Sequence, residues 1–133
     1  MQTTETAQSP AGLNVFVVED EALVALNLED MLADLGCHVV GPAMRLPKAM
    51  EMVDKGVNAD VAILDVNIAG APVYPLAEAL KARGTPIVFA TGYGRSGLPE
   101  AWHGYPVLQK PYTADDVLAS IRVAMGGFRA GSS

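Results

Sequence analysis

The sequence predicts an α/β fold, an open and doubly wound parallel sheet of five strands with helices on both faces. Three observations predict it. The run at 13–18 is rich in β-branched residues and shows no polar alternation, as a strand covered on both faces does, and 61–64 and 87–90 are further strand-like apolar runs. Helical segments of roughly ten to fifteen residues separate them, the spacing of βαβ units. Successive runs also end in polar groups: Val15-Phe16-Val17-Val18 in Glu19-Asp20, Val61-Ala62-Ile63-Leu64 in Asp65, Ile87-Val88-Phe89-Ala90 in Thr91, and Tyr105-Pro106-Val107-Leu108-Gln109 in Lys110 before Pro111.

Size and charge bound what such a fold can do. The chain has 133 residues, half of them hydrophobic, which suits one compact domain and leaves no room for a second. That domain is expected over residues 13–126, between a leader, 1–12, and a tail, 127–133. A net charge of -6 with no block of Lys or Arg argues against a nucleic-acid partner, which needs a clustered positive face. Cys37 is the single cysteine, so no internal disulfide forms; it reads as a buried thiol in a reducing compartment. The first ten residues lack the apolar stretch of a secretory signal, and every apolar run is far short of the roughly 20 residues that cross a bilayer. A cytoplasmic protein without membrane insertion is expected.

In chain order, residues 13–18 form the first strand, and Asp20 caps the helix that follows. Over residues 21–35 the apolar Val24, Leu28, Met31, Leu32 and Leu35 recur at three- and four-residue intervals, with Asn27, Glu29, Asp30 and Asp34 mostly off that stripe. Gly36 ends the helix. Residues 37–40 make a second short strand, stopped by Gly41-Pro42. Pro47 opens a helix through about Lys55, because proline in the first turn forfeits no hydrogen bond; Met50 and Val53 are its buried side. The third strand, 58–65, is followed by a loop at 69–72, and a helix over 75–83 is closed by Gly84. Pro86 starts the fourth strand. Between Thr91 and Tyr105 the alternation breaks, because Gly92, Gly94, Gly97, Pro99 and Gly104 leave room for at most a turn of helix around 99–102. The fourth helix is therefore short or absent. After the fifth strand, Thr113-Ala114-Asp115-Asp116 resembles a capping box with Asp in place of Glu and opens a helix through Met125. The elements amount to a flavodoxin-like sheet of strand order 2-1-3-4-5.

In open sheets of this class ligands bind beyond the carboxyl ends of the strands. Glu19, Asp20, Asp65, Thr91 and Lys110 would share that rim. Three carboxylates together are unfavourable without a cation, and magnesium fits, because it prefers hard oxygen ligands and binds through one or two carboxylates, waters and phosphate oxygens. With its charge compensated, Asp65 can attack phosphorus in line, while Mg²⁺ and the Lys110 ammonium neutralise the phosphoryl oxygens and the Thr91 hydroxyl donates to them. Taken singly, each residue has a blander reading: Asp20 as an N-cap, Glu19 and Glu21 as helix-dipole partners, Thr91 as strand filling, Lys110 as a solvated strand end. Those readings leave the arrangement at successive strand ends unexplained. Trp102 and His103 read as packing residues and His38 as structural.

Order and spacing of these residues resemble the receiver domain of two-component response regulators, over residues 13–125. The resemblance implies that Asp65 accepts a phosphoryl group from a histidine kinase and that Asp20, Asp65 and the main-chain carbonyl of Asn67 ligate Mg²⁺. It implies that Glu19 holds metal-bound water, that Thr91 and Lys110 bind the phosphoryl oxygens, and that the Lys110-Pro111 bond is cis. Phe89-Ala90-Thr91-Gly92-Tyr93 is similar to the motif of the FATGUY branch of single-domain receivers, which have a shortened fourth helix; this implies a kinase of the HWE or related families as partner. Many receivers carry an aromatic switch residue three positions before the lysine, where this chain has Val107, and the aromatic part of the switch falls to Tyr93 beside Thr91, with Phe89 as a competitor.

The expected function is a phosphorylation-controlled signalling switch without an output domain, acting as a relay or sink or by contact with a downstream protein. Turnover would be a signal, so an enzyme is not expected. An aspartate-nucleophile phosphatase would need a catalytic acid two residues after Asp65, where Asn67 stands. The remaining rival is a receiver-shaped interaction module that works without phosphorylation.

Overall fold

The computed structural model describes residues 9–127, so residues 1–8 of the expected leader and 128–133 of the tail lie outside the described residues. In chain order the elements are β1 (Asn14–Val18), α1 (Ala22–Asp34), β2 (His38–Ala43), α2 (Leu46–Asp54), β3 (Val61–Asp65), the two-residue strands β4 (Asn67–Ile68) and β5 (Ala71–Pro72), α3 (Tyr74–Ala82) and β6 (Ile87–Thr91). Two 3-10 turns, Arg95–Gly97 and Glu100–Trp102, lead to β7 (Val107–Gln109), α4 (Ala114–Arg122) and a closing π turn, Val123–Gly127. Five strands make one parallel sheet in the order β2-β1-β3-β6-β7, the expected 2-1-3-4-5 once the separate β4-β5 hairpin is set aside.

Alternate residues of a strand point to opposite faces, and here both faces are covered. Phe16, Ala62, Leu64, Ile87 and Phe89 pack with Ala49 and Val53 of α2 and Leu76 and Leu80 of α3. Val15, Val17, Ile63, Val88 and Ala90 pack on the other side with Leu28 and Leu32 of α1 and Val117 and Ile121 of α4. That double cover explains why the central strands read as unbroken apolar runs. Cys37 is buried, as expected, and its thiol donates to the carbonyl of Pro10 at 3.3 Å.

Several local expectations need correction. Asp20 does not cap α1: the N-cap position is Glu21, without a side-chain cap bond, and Asp20 reaches elsewhere. The buried line of α1 is Ala25, Leu28 and Leu32, with Val24, Met31 and Leu35 half-buried, a stripe rotated toward the small Ala25 that lets the helix lie close to the sheet. In α2 the buried pair is Ala49 and Val53, and Met50 is half-buried. β2 runs through Gly41-Pro42 instead of stopping there; it is an edge strand, where a missing proline N–H is tolerated. Gly41 has φ +96, and a Cβ there would lie 2.8 Å from the Ala43 nitrogen, so only glycine fits the irregularity where the β1-β2 register shifts. The expected loop at 69–72 is part of the hairpin in which Asn67 pairs with Pro72 and Ile68 with Ala71.

Other expectations hold. Thr113 Oγ1 accepts from the Asp116 N–H at 3.2 Å while Asp116 Oδ2 accepts from the Thr113 N–H at 2.9 Å, a complete capping box. The Lys110-Pro111 bond is cis, as is Gly41-Pro42. The fourth helix is reduced to the two 3-10 turns. Trp102 anchors the second of them in the core, with ring centroids 5.5 Å from Phe89, 5.2 Å from Tyr105 and 6.2 Å from Tyr74.

Candidate functional site

Register sets the rim. Val18 pairs with Leu64 and Asp65 with Ala90, so Glu19, Asp65 and Thr91 follow one another across the carboxyl edge of β1, β3 and β6. Thr91 pairs with Gln109, which puts Lys110 next in line, and its N–H donates to the Thr91 carbonyl at 2.9 Å.

Asp65 is 7% exposed and both its oxygens are engaged. Oδ2 lies 2.6 Å from Lys110 Nζ, and Oδ1 accepts from the Asn67 N–H at 3.0 Å. Lys110 Nζ also lies 3.2 Å from Glu19 Oε1 and 3.7 Å from Glu21 Oε1, and the other Glu19 oxygen accepts from the Glu21 N–H at 3.1 Å. The ammonium thus serves as an internal counterion to three carboxylates. Burial works to lower the Lys110 pKa, but hydrogen bonding and charge from Asp65, with help from Glu19, outweigh it and push the pKa well above the ordinary lysine value. Glu19, 2% exposed, is pushed from the ordinary 4.5 up to about 7, first by burial and then by the Asp65 carboxylate; the Glu21 N–H and Lys110 only partly oppose this. Lys110 stays charged, and Glu19 is the group that can adjust its protonation.

Glu19, Glu21 and Asp65 each offer a carboxylate oxygen, all within 4.8 Å of one another, and this hard-oxygen set fits Mg²⁺. Asp20 stands outside that trio: its Oδ2 accepts from the Ala69 N–H at 2.9 Å and ties the rim to the β4-β5 hairpin. The Asn67 side chain turns back on its own loop, with Oδ1 accepting from the Gly70 N–H at 2.8 Å. Thr91 is buried, and its Oγ1 accepts from the Tyr93 N–H at 3.1 Å, while the Tyr93 ring is 81% exposed.

The structure places Glu19, Asp65, Thr91 and Lys110 along one sheet edge, and adds Glu21, read from the sequence as a helix-dipole partner, and Tyr112, which the sequence reading did not single out. Glu21 was legible only as a third consecutive acid. Tyr112 follows Lys110-Pro111 directly; its hydroxyl is buried without a hydrogen-bond partner among the described residues, and burial together with the Glu19 charge pushes its pKa up to about 12.

The family model of the response regulator receiver domain matches residues 15–122. The solution structure of SdrG from Sphingomonas melonis is 40% identical with a TM-score of 0.76, covering 88% of this chain and 98% of that one; SdrG has also been solved in a BeF3-activated conformation. The transcriptional regulatory protein PdtaR of Mycobacterium tuberculosis is 28% identical over 130 residues, 95% of this chain, and the phyllosphere-induced regulator PhyR of Methylorubrum extorquens is 25% identical over 114 residues, 84% of it. This chain spans 63% of the length of PdtaR and 43% of that of PhyR. A five-stranded sheet with an acid, an aspartate, a threonine and a lysine at consecutive strand ends, matched by the family model over most of its length, belongs to the response regulator receiver domains of two-component signalling.

Proposed function

We propose that Asp65 accepts a phosphoryl group from a histidine kinase, of the HWE or a related type, and that the modified domain signals through contact with another protein or passes the group on. The observation that carries this reading is the 2.6 Å contact of Lys110 Nζ with Asp65 Oδ2 inside a buried acidic pocket. In the transfer, an Asp65 oxygen bonds to phosphorus as the bond to the donor's leaving group breaks. Lys110 follows the charge onto the phosphoryl oxygens, and Thr91 exchanges its bond with the Tyr93 N–H for one donated to them. A bound Mg²⁺ would supply further neutralisation of those oxygens, held by Glu19 and Asp65 with Asp20, the Asn67 carbonyl or Glu21 completing its shell. The BeF3-activated form of SdrG supports the same chemistry at a related site.

Acetyl phosphate with Mg²⁺, followed by intact mass, tests the proposal. The wild type should gain one phosphate and Asp65→Asn none. Labelling that persists in Asp65→Asn moves the acceptor elsewhere. An unlabelled wild type favours the interaction module that works without phosphorylation.

A further inference from the structure

Tyr112 presents a feature that neither packing nor the resting site explains. Its hydroxyl is shielded from solvent and has no hydrogen-bond partner among the described residues, a rare and costly state for a buried polar atom. A phenylalanine would keep the ring's contacts with the core beneath α1 and α4 without that cost. The hydroxyl also lies close enough to Glu19, Lys110 and Asp65 for all three charges to act on it.

The carboxylate oxygens of Glu19 and Asp65 each hold a donor at rest. Glu19 Oε1 and Asp65 Oδ2 are held by Lys110 Nζ, Glu19 Oε2 by the Glu21 N–H, and Asp65 Oδ1 by the Asn67 N–H. Lys110 itself is only a donor. Two of those donors are backbone N–H groups, and the one on a side chain that can leave is the Lys110 ammonium. We infer that Tyr112 is a positioning residue of the Asp65 site, its hydroxyl donating to Glu19 Oε1 when Lys110 leaves that oxygen for the phosphoryl group. This rests on the phosphoacceptor reading of Asp65.

Lys110, Pro111 and Tyr112 border a cleft of about 350 Å³, whose opposite wall is Val24, Asn27 and Met31 of α1. Without a replacement donor, Glu19 Oε1 would be left buried and unpaired, and the carboxylate would turn. With Tyr112 in place it stays oriented toward the cation.

The test compares wild type with Tyr112→Phe by thermal melting and by calorimetric Mg²⁺ titration, with and without beryllofluoride. Tyr112→Phe should melt at or above the wild-type temperature in the unliganded state. Its Mg²⁺ affinity should match the wild type without beryllofluoride and fall about tenfold with it, the effect of one hydrogen bond to a charged acceptor. Equal affinities in the beryllofluoride state overturn the inference. So does a lower melting temperature of the unliganded variant, which would show that the hydroxyl already has a partner at rest. A wild type that takes up neither Mg²⁺ nor beryllofluoride instead overturns the phosphoacceptor reading, and this inference with it.

Discussion

At Glu19 burial and charge compete within one side chain. The unfolded chain titrates near 4.5 and the folded one at about 7, so between those values the folded state binds more protons. Stability held by neutral Glu19 is complete below the lower value and is lost as pH rises through the upper one. A shift of that size corresponds to about 3 kcal/mol. Glu19→Gln keeps the shape and removes the titration. It should therefore flatten the fall in stability across this window and melt higher than wild type above pH 7. Thermal melts in a pH series without divalent cations check this, and parallel curves for the two proteins would show that Glu19 carries no such burden. The same residue would regain its charge once a cation binds, so the variant's gain should vanish in Mg²⁺.

Among elements, the segment 92–104 shows how one stretch can be fixed at one end and free at the other. Leu98 and Trp102 are buried, and the rings of Phe89, Tyr74 and Tyr105 surround Trp102, so the second 3-10 turn belongs to the core. The first turn has no buried residue and hangs from Thr91 through the Tyr93 N–H. If Thr91 turns its hydroxyl to a phosphoryl group, that bond is given up and the change stays within 92–97. Hydrogen exchange with beryllofluoride should alter protection in 92–97 and leave 98–104 near its resting level, with no change anywhere in the segment for Thr91→Ala. Uniform change across the segment would mean that Trp102 moves too. The glycines made this weak helix legible in the sequence, because helix propensity is a local property. The central strands were legible for a different reason: burial on both faces removes polar alternation. What stayed hidden depends on neighbours. β2 could cross Gly41-Pro42 only because the sheet ends there, Asp20 preferred the Ala69 N–H to its own helix, and the isolation of the Tyr112 hydroxyl exists only once Glu19, Asp65 and Lys110 have met.

For the whole molecule, the sheet delivers three acids and one ammonium to a single edge, and the fold's stability depends on how they are neutralised. Lys110 does this at rest, with Nζ within 3.7 Å of Glu19, Glu21 and Asp65. Removing one partner of a buried ion pair costs about 3–5 kcal/mol, because the other charges remain. Lys110→Ala should approach that loss at alkaline pH, where Glu19 is ionised. It should lose less at mildly acidic pH, where Glu19 takes up a proton and relieves the repulsion. Mg²⁺ competes for the same oxygens as the ammonium, so the variant should bind the ion more tightly than wild type and recover most of its stability as the ion is added, by mass action. Melting curves over a Mg²⁺ series at two pH values follow all three effects at once. A Lys110→Ala protein as stable as wild type in chelator at alkaline pH would show that solvent, not Lys110, screens this edge.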